Sequence, residues 1–114
     1  MREISHPAVG DLRIVNVFHA LSDPARLGIV ARLLTEGEIA CADFDLPFAK
    51  ATRAHHFRVL RESGLIRVRW EGKHQYAAVR EPDLEARFPG LADVIRQHQS
   101  GTNLTGTVSP KGRS

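Results

Sequence analysis

The side chains in this sequence that could do chemistry are mostly cationic donors, and they cluster. Residues 49–80 hold eight Lys or Arg (Lys50, Arg53, Arg58, Arg61, Arg67, Arg69, Lys73 and Arg80) against Glu62 and Glu71 alone, a net of +6. Residues 1–48 carry four cations and seven carboxylates, a net of −3, and residues 81–114 carry four of each. The formal total of +3 hides this pattern. Positive charge concentrated in one stretch attracts a polyanion, because each phosphate it neutralises releases a counterion. A solvated basic face with no partner is the competing reading, and charge alone divides the two evenly.

Catalytic chemistry finds no comparable support. There is no Ser-His-Asp order, no Gly-rich phosphate loop and no His-Glu-x-x-His. The adjacent His55 and His56 do not make a catalytic constellation, so the chain is not expected to be an enzyme. Its one cysteine, Cys41, can form neither an internal disulfide nor a Cys-rich zinc site, and reads as a small buried residue. The 114 residues suit one domain, and 42% hydrophobic with 25% charged is ordinary for a globular chain. No apolar run is long enough to span a bilayer, and the opening Met1 to Gly10 has no apolar signal core. A cytoplasmic protein with no membrane partner is expected.

Elements must position the cationic side chains, and periodicity supplies them. Ile14, Phe18 and Leu21 mark one helix face within 11–21. Ser22-Asp23-Pro24 stops that helix and caps a second, which carries Leu27, Val30, Leu33 and Leu34 to about residue 34. A short third helix is expected near 38–44, then a turn at Leu46-Pro47-Phe48. A fourth helix should run over 50–63 with Phe57 and Leu60, then Val59 and Ala54, inward, and Gly64 as its left-handed C-terminal residue. Ile66, Val68 and Trp70 then alternate with Arg67, Arg69 and Glu71. Glu71-Gly72-Lys73 turns, and 74–79 returns as a second strand. Leu84, Phe88, Leu91 and Ile95 give a last helix over 82–98, bent or split at Pro89-Gly90. Residues 99–114 lack periodicity and read as a disordered tail after a single domain of residues 1–98. The fold class is thus mainly α with a two-stranded β-hairpin, in winged helix-turn-helix order.

Three motifs make the order specific. Phe18-His19-Ala20-Leu21-Ser22-Asp23-Pro24-Ala25-Arg26-Leu27, followed by Leu33-Leu34, resembles the second-helix signature of ArsR/SmtB-family bacterial transcriptional regulators. His55-His56-Phe57-Arg58-Val59-Leu60-Arg61-Glu62-Ser63-Gly64-Leu65-Ile66 is similar to that family's recognition helix and exit, and Gly72-Lys73 with Tyr76 to its wing. The likeness covers about residues 12–80 and, more loosely, runs to about 98. It implies a homodimeric winged-helix repressor that changes its grip on DNA when an effector binds.

On that resemblance, the start of the recognition helix enters the major groove. The residues there are Lys50, Ala51, Thr52 and Arg53, then His55 and His56. Lys50 and Arg53 can donate to guanine edges or phosphates. Thr52 can reach a phosphate or a thymine methyl. Ala49, Ala51 and Ala54 replace the small hydroxyl residues usual in the family, which shifts weight to Lys50, Arg53 and His55. Arg67, Arg69 and Lys73 are expected on the adjacent minor groove or backbone. The competing readings are a packed His56 and an Arg67 or Arg69 paired with an acid. Arg58 and Arg61, farther along, read as scaffold or phosphate contacts. Ile14, Phe18, Leu91 and Ile95 on the first and last helices are the surfaces for dimerisation, or else close the monomer core.

Metal sensing is weighed on the same resemblance. The family's third-helix cysteine site would fall on Glu38-Ile39-Ala40-Cys41-Ala42-Asp43, where both ligand positions are alanine. That site is expected to be absent. The last-helix site lacks its first histidine and its spacing. His6, His19 and His98 remain as weak candidates, with imidazole chemistry suited to a labile nickel or zinc ion; exposed or helix-end histidines are the competing account. No cofactor is required. The expected function is a sequence-specific DNA-binding regulator, acting as a homodimer on a palindromic operator of double-stranded DNA. A nickel- or zinc-responsive sensor and a winged-helix protein-interaction module are the alternatives. The effector is left open between a metal, a small molecule, a partner protein and none.

Overall fold

The computed structural model of the chain describes residues 4–101. Its helices are α1 (Ile14–Leu21), α2 (Pro24–Glu36), α3 (Lys50–Glu62), α4 (Glu81–Arg87) and α5 (Leu91–Gly101). Its strands are β1 (Ile39–Ala40), β2 (Ile66–Glu71) and β3 (His74–Val79). Two single 3-10 turns, Val9–Asp11 and Cys41–Asp43, precede α1 and follow β1. The strands form one antiparallel sheet in the order β1-β3-β2, with Ile39 opposite Ala77 and Val68 opposite Ala77 on the other side. The architecture is the expected winged helix: mostly helical, with the hairpin as wing.

Local chemistry sets the element ends. Ser22 Oγ donates to the His19 carbonyl at 2.7 Å and closes α1. Asp23 Oδ1 accepts from the Ala25 and Arg26 amides at 2.8 and 3.2 Å, and Pro24 needs no partner at the first helical position. At the end of α3, the Leu65 amide donates to the Leu60 carbonyl and the Gly64 amide to that of Arg61, both at 3.1 Å. This is a Schellman closure, with Gly64 at φ 89°. A Cβ on Gly64 would also overlap Leu12 Cδ2. Leu12 is buried and shares one core with Val17, Ile29, Val30, Leu60, Leu65, Ile66 and Leu84.

Two expectations are corrected. The stretch read as a third helix is the two-residue strand β1 and a 3-10 turn. The free edge of β3 takes a partner there, and Ile39 turns into the core. The sheet therefore has three strands, not two. The last helix is split at Pro89-Gly90, one of the two outcomes expected there: Phe88 donates to the Leu84 carbonyl to end α4, and Gly90 turns the chain at φ 91°. Arg96 on α5 then holds Glu81 on α4 through both carboxylate oxygens, at 2.7 and 2.8 Å. The helix continues to Gly101, past the start placed for the tail, and residues 102–114 lie outside the described residues.

Candidate nucleic-acid interface

The face that α3 leaves open carries Ala51, His55, Arg58 and Glu62, one turn apart, flanked by Lys50, Thr52 and Ala54. Its opposite face is buried through His56 and Leu60. Ala49 gives the helix no side-chain cap, so its first amides meet no side-chain acceptor of this kind. Helix N-termini attract anions for this reason. Arg58 Nη2 lies 3.4 Å from His55 Nδ1, which sets the two side chains together on the open face. Sequence reasoning read Arg58 as a scaffold or phosphate contact and not as a base reader. The signal that finds it is its seven-residue step from Ala51, two helical turns along the same face.

The structure parts the remaining predicted contacts by what holds them. His56 is corrected: it is 6% exposed, and its Nδ1 accepts from Arg26 Nη1 at 3.1 Å. Phe48 covers the ring at 5.1 Å between centroids. Arg26, itself 8% exposed, also donates through Nε to the Ala20 carbonyl at 2.8 Å. The pair fastens α3 to α2 and the end of α1, and it cannot read a base. Arg53 is half-buried, and its Nη2 donates to the Cys41 carbonyl at 2.9 Å, which pins α3 to the turn after β1.

The wing shows the same division. Gly72, at φ 64°, and Lys73 form the two-residue loop between Glu71 and His74, and Lys73 is exposed at its tip. Arg67 is exposed, 3.8 Å from Asp83 Oδ2. Arg69, expected as a groove contact or else paired with an acid, is met by carboxylates. Its Nε and Nη2 reach Glu38 at 2.8 Å each, and its Nη1 reaches Glu71 at 2.7 Å. Its guanidinium also lies over the Tyr76 ring at 4.9 Å. The hydrogen bonds from Arg69 hold the Glu38 carboxyl below its usual range. Arg80, counted in the basic block, is buried on Asp83 and the Pro7 carbonyl.

Among the apolar surfaces, Ile14 and Phe18 are exposed, Phe18 at 57%. Leu91 is half-buried against the core. Ile95 is corrected: at 4% exposed it closes this chain's own core and is unavailable to a partner. Val15 at 71% and Val94 at 51% are the apolar side chains that α1 and α5 leave open, and sequence reasoning missed both. The core-facing period of α1 runs through Val17 and Ala20, which turns Val15 outward.

The candidate metal ligands do not converge within the chain. No group of three or more His, Cys, Asp or Glu among the described residues could hold an ion. His6 accepts from the Val68 amide through Nε2 at 3.0 Å. Burial, and the charges of Arg61, Arg80 and Arg67, push its pKa below the ordinary 6.5. His19 and His98 are exposed on α1 and α5, with His98 Nδ1 2.9 Å from the Val94 carbonyl. Burial pushes the Cys41 thiol up to about 11, which disfavours the thiolate a metal needs.

Known proteins agree with this architecture. No protein-family model matches the chain. An uncharacterised HTH-type transcriptional regulator, YceK of Bacillus subtilis, is 33% identical over 82 residues, which are 69% of this chain and 82% of YceK. A cadmium resistance transcriptional regulatory protein CadC homologue of Staphylococcus aureus is 38% identical over 65 residues, 55% of this chain and 54% of that protein. The crystal structure of an ArsR family transcriptional regulator superposes with a TM-score of 0.60 and 25% identity, covering 71% of this chain and 90% of the other. These relatives are transcriptional regulators, not enzymes. Among the described residues no helix is long and apolar enough to cross a membrane. With the fold, the motifs and the relatives in agreement, the chain belongs to the ArsR family of helix-turn-helix transcriptional regulators.

Proposed function

We propose that the protein is a cytoplasmic, sequence-specific DNA-binding repressor that acts as a homodimer on a palindromic operator. The observation that carries this is the open face of α3. It presents Thr52, His55 and Arg58 together, beside Lys50 and the uncapped helix start. Thr and Arg are suited to base edges and phosphates, and a lone helix fits the major groove. Arg67 and Lys73 on the wing reach the flanking backbone. Arg53, His56 and Arg69 act by holding the reading elements in place. Dimerisation uses Ile14, Val15 and Phe18 of α1 with Leu91 and Val94 of α5, since exposed apolar groups on two helices favour burial against a second copy. Such a dimer reads half-sites about one helical turn apart.

The CadC homologue is named for cadmium resistance. A thiolate site of that kind is not proposed here, because Ala40 and Ala42 flank a single cysteine whose thiol stays protonated near neutral pH. A labile nickel or zinc ion would have to gather His19 and His98 from two chains, and His6 only after it releases Val68.

Fluorescence anisotropy on DNA from upstream of its own gene, with and without nickel or zinc, tests the proposal. Binding should be tight and should weaken as salt rises, with a log–log slope of roughly −0.9 per phosphate neutralised. Salt-independent or absent binding to DNA would refute the function. A metal that shifts the curve would establish the sensor reading instead of an organic or protein signal.

A further inference from the structure

Beside the open face of α3 lies a cavity of about 940 Å³, bounded by α3, the β2–β3 hairpin, the Cys41–Asp43 turn and the segment before α1. Phe48, Phe57, Val68 and Trp70 give it an apolar lining. Lys50, Arg53, Arg58 and Arg61 also line it, and among the described residues no Asp or Glu does. Among the described residues the arginines are oriented chiefly by uncharged acceptors, with one long ion pair from Arg61 to Glu62. Arg53 donates to the Cys41 carbonyl at 2.9 Å and Arg61 to the Ser5 carbonyl at 2.6 Å, both uncharged acceptors. Arg58 meets His55, and Arg61 comes no nearer than 3.9 Å to the exposed Glu62. Elsewhere Arg69, Arg80 and Arg96 each meet a carboxylate at 3.0 Å or closer.

A concave, largely apolar site with a few converging charged groups is the usual form of a small-ligand site. DNA phosphates account for the cations. They do not account for the aromatic lining, because a hydrated backbone gains nothing from an apolar hollow. We propose that this cavity binds an organic carboxylate with an apolar body, the body against Phe57 and Trp70 and the carboxylate on Arg53 and Arg61. Guanidinium groups already held in place lose little freedom on binding, and their charged hydrogen bonds are the strong kind. Its regulatory consequence rests on the DNA-binding reading. Lys50 and Arg58 belong both to the cavity and to the reading face, so a bound carboxylate draws them away from phosphate.

Trp70 is the chain's only tryptophan, so its fluorescence reports the cavity directly. The test titrates the full chain, without DNA, with a naphthalene carboxylate and with the neutral naphthalene carboxamide. The carboxylate should quench Trp70 saturably and bind about tenfold or more tighter than the amide, a difference of one charge-assisted contact. Gln75→Glu and Ala42→Glu each add a carboxylate to the lining. Each should weaken the carboxylate about tenfold and leave the amide's affinity unchanged. Ala42 is exposed, so that variant keeps the test valid if the other does not fold. No saturable binding, equal affinity for acid and amide, or indifference of both variants would overturn the proposal. Adding the carboxylate to a preformed DNA complex should lower DNA affinity about tenfold. Unchanged DNA affinity with the cavity filled would overturn the regulatory link. A chain that binds the carboxylate and no DNA would uphold the cavity and refute the DNA-binding function instead.

Discussion

Arg53 and Arg58 stand on the same helix in different surroundings, and the proposed function gives them different work. Arg58 is on the open face, and Arg53 is tied to the Cys41 carbonyl. Arg58→Ala should therefore weaken operator binding by about 1–3 kcal/mol and leave the thermal midpoint where it is. Arg53→Ala should lower the midpoint as well, since it frees a buried-side carbonyl and unpins α3. Calorimetry and anisotropy on the two purified variants separate these outcomes. Sequence could not make the distinction, because the deciding partners are distant. Arg26 and His56 are 30 positions apart, and Glu38 and Arg69 are 31. A count of cations in residues 49–80 shows where charge is concentrated. It does not show that Arg69 and Arg80 are already matched to carboxylates.

At the scale of elements the sequence was far more legible. Each helix that appears where periodicity put it has a local stop signal: Ser22-Asp23-Pro24 between α1 and α2, Gly64 after α3, Pro89-Gly90 before α5. The failure at 38–44 has a physical reason. A two-residue strand is too short to show alternation, and its existence depends on the edge of β3, which is far along the chain. Local signals also predict costs. Asp23→Ala should destabilise the fold by about 1 kcal/mol through two lost cap bonds, measured by urea unfolding. Gly64→Ala should cost more, because the left-handed backbone and the contact with Leu12 both oppose a Cβ. A midpoint for Gly64→Ala above that of Asp23→Ala would contradict the close approach to Leu12.

For the whole molecule, stability should fall on acidification. His6 is held below its ordinary pKa of 6.5, first by burial and then by Arg61, Arg80 and Arg67. The unfolded chain then takes the proton more readily than the folded one. Stability is complete above 6.5 and declines as pH falls through the lower folded value. Protonation also removes the acceptor for the Val68 amide. Urea midpoints of the wild type and His6→Gln on either side of 6.5 check this: the slope between them should be shallower in the variant. Assembly gives a second test. Phe18→Glu places a charge in the apolar patch of α1, and should leave a folded monomer by analytical ultracentrifugation with much weaker operator binding. A dimer that survives this change would place the partner elsewhere.

Arg26 would give the proposed dimer a mechanical property. One guanidinium grips the carbonyl that ends α1 and the imidazole in the middle of α3. The helix that carries the outward apolar patch and the helix that carries the reading face are thus geared at a single buried joint. In a dimer, the spacing of the two reading heads follows the tilt of α1 against its twin. A signal that rocks the seam between the copies by a few degrees can therefore put the heads out of step with the groove while neither head bends.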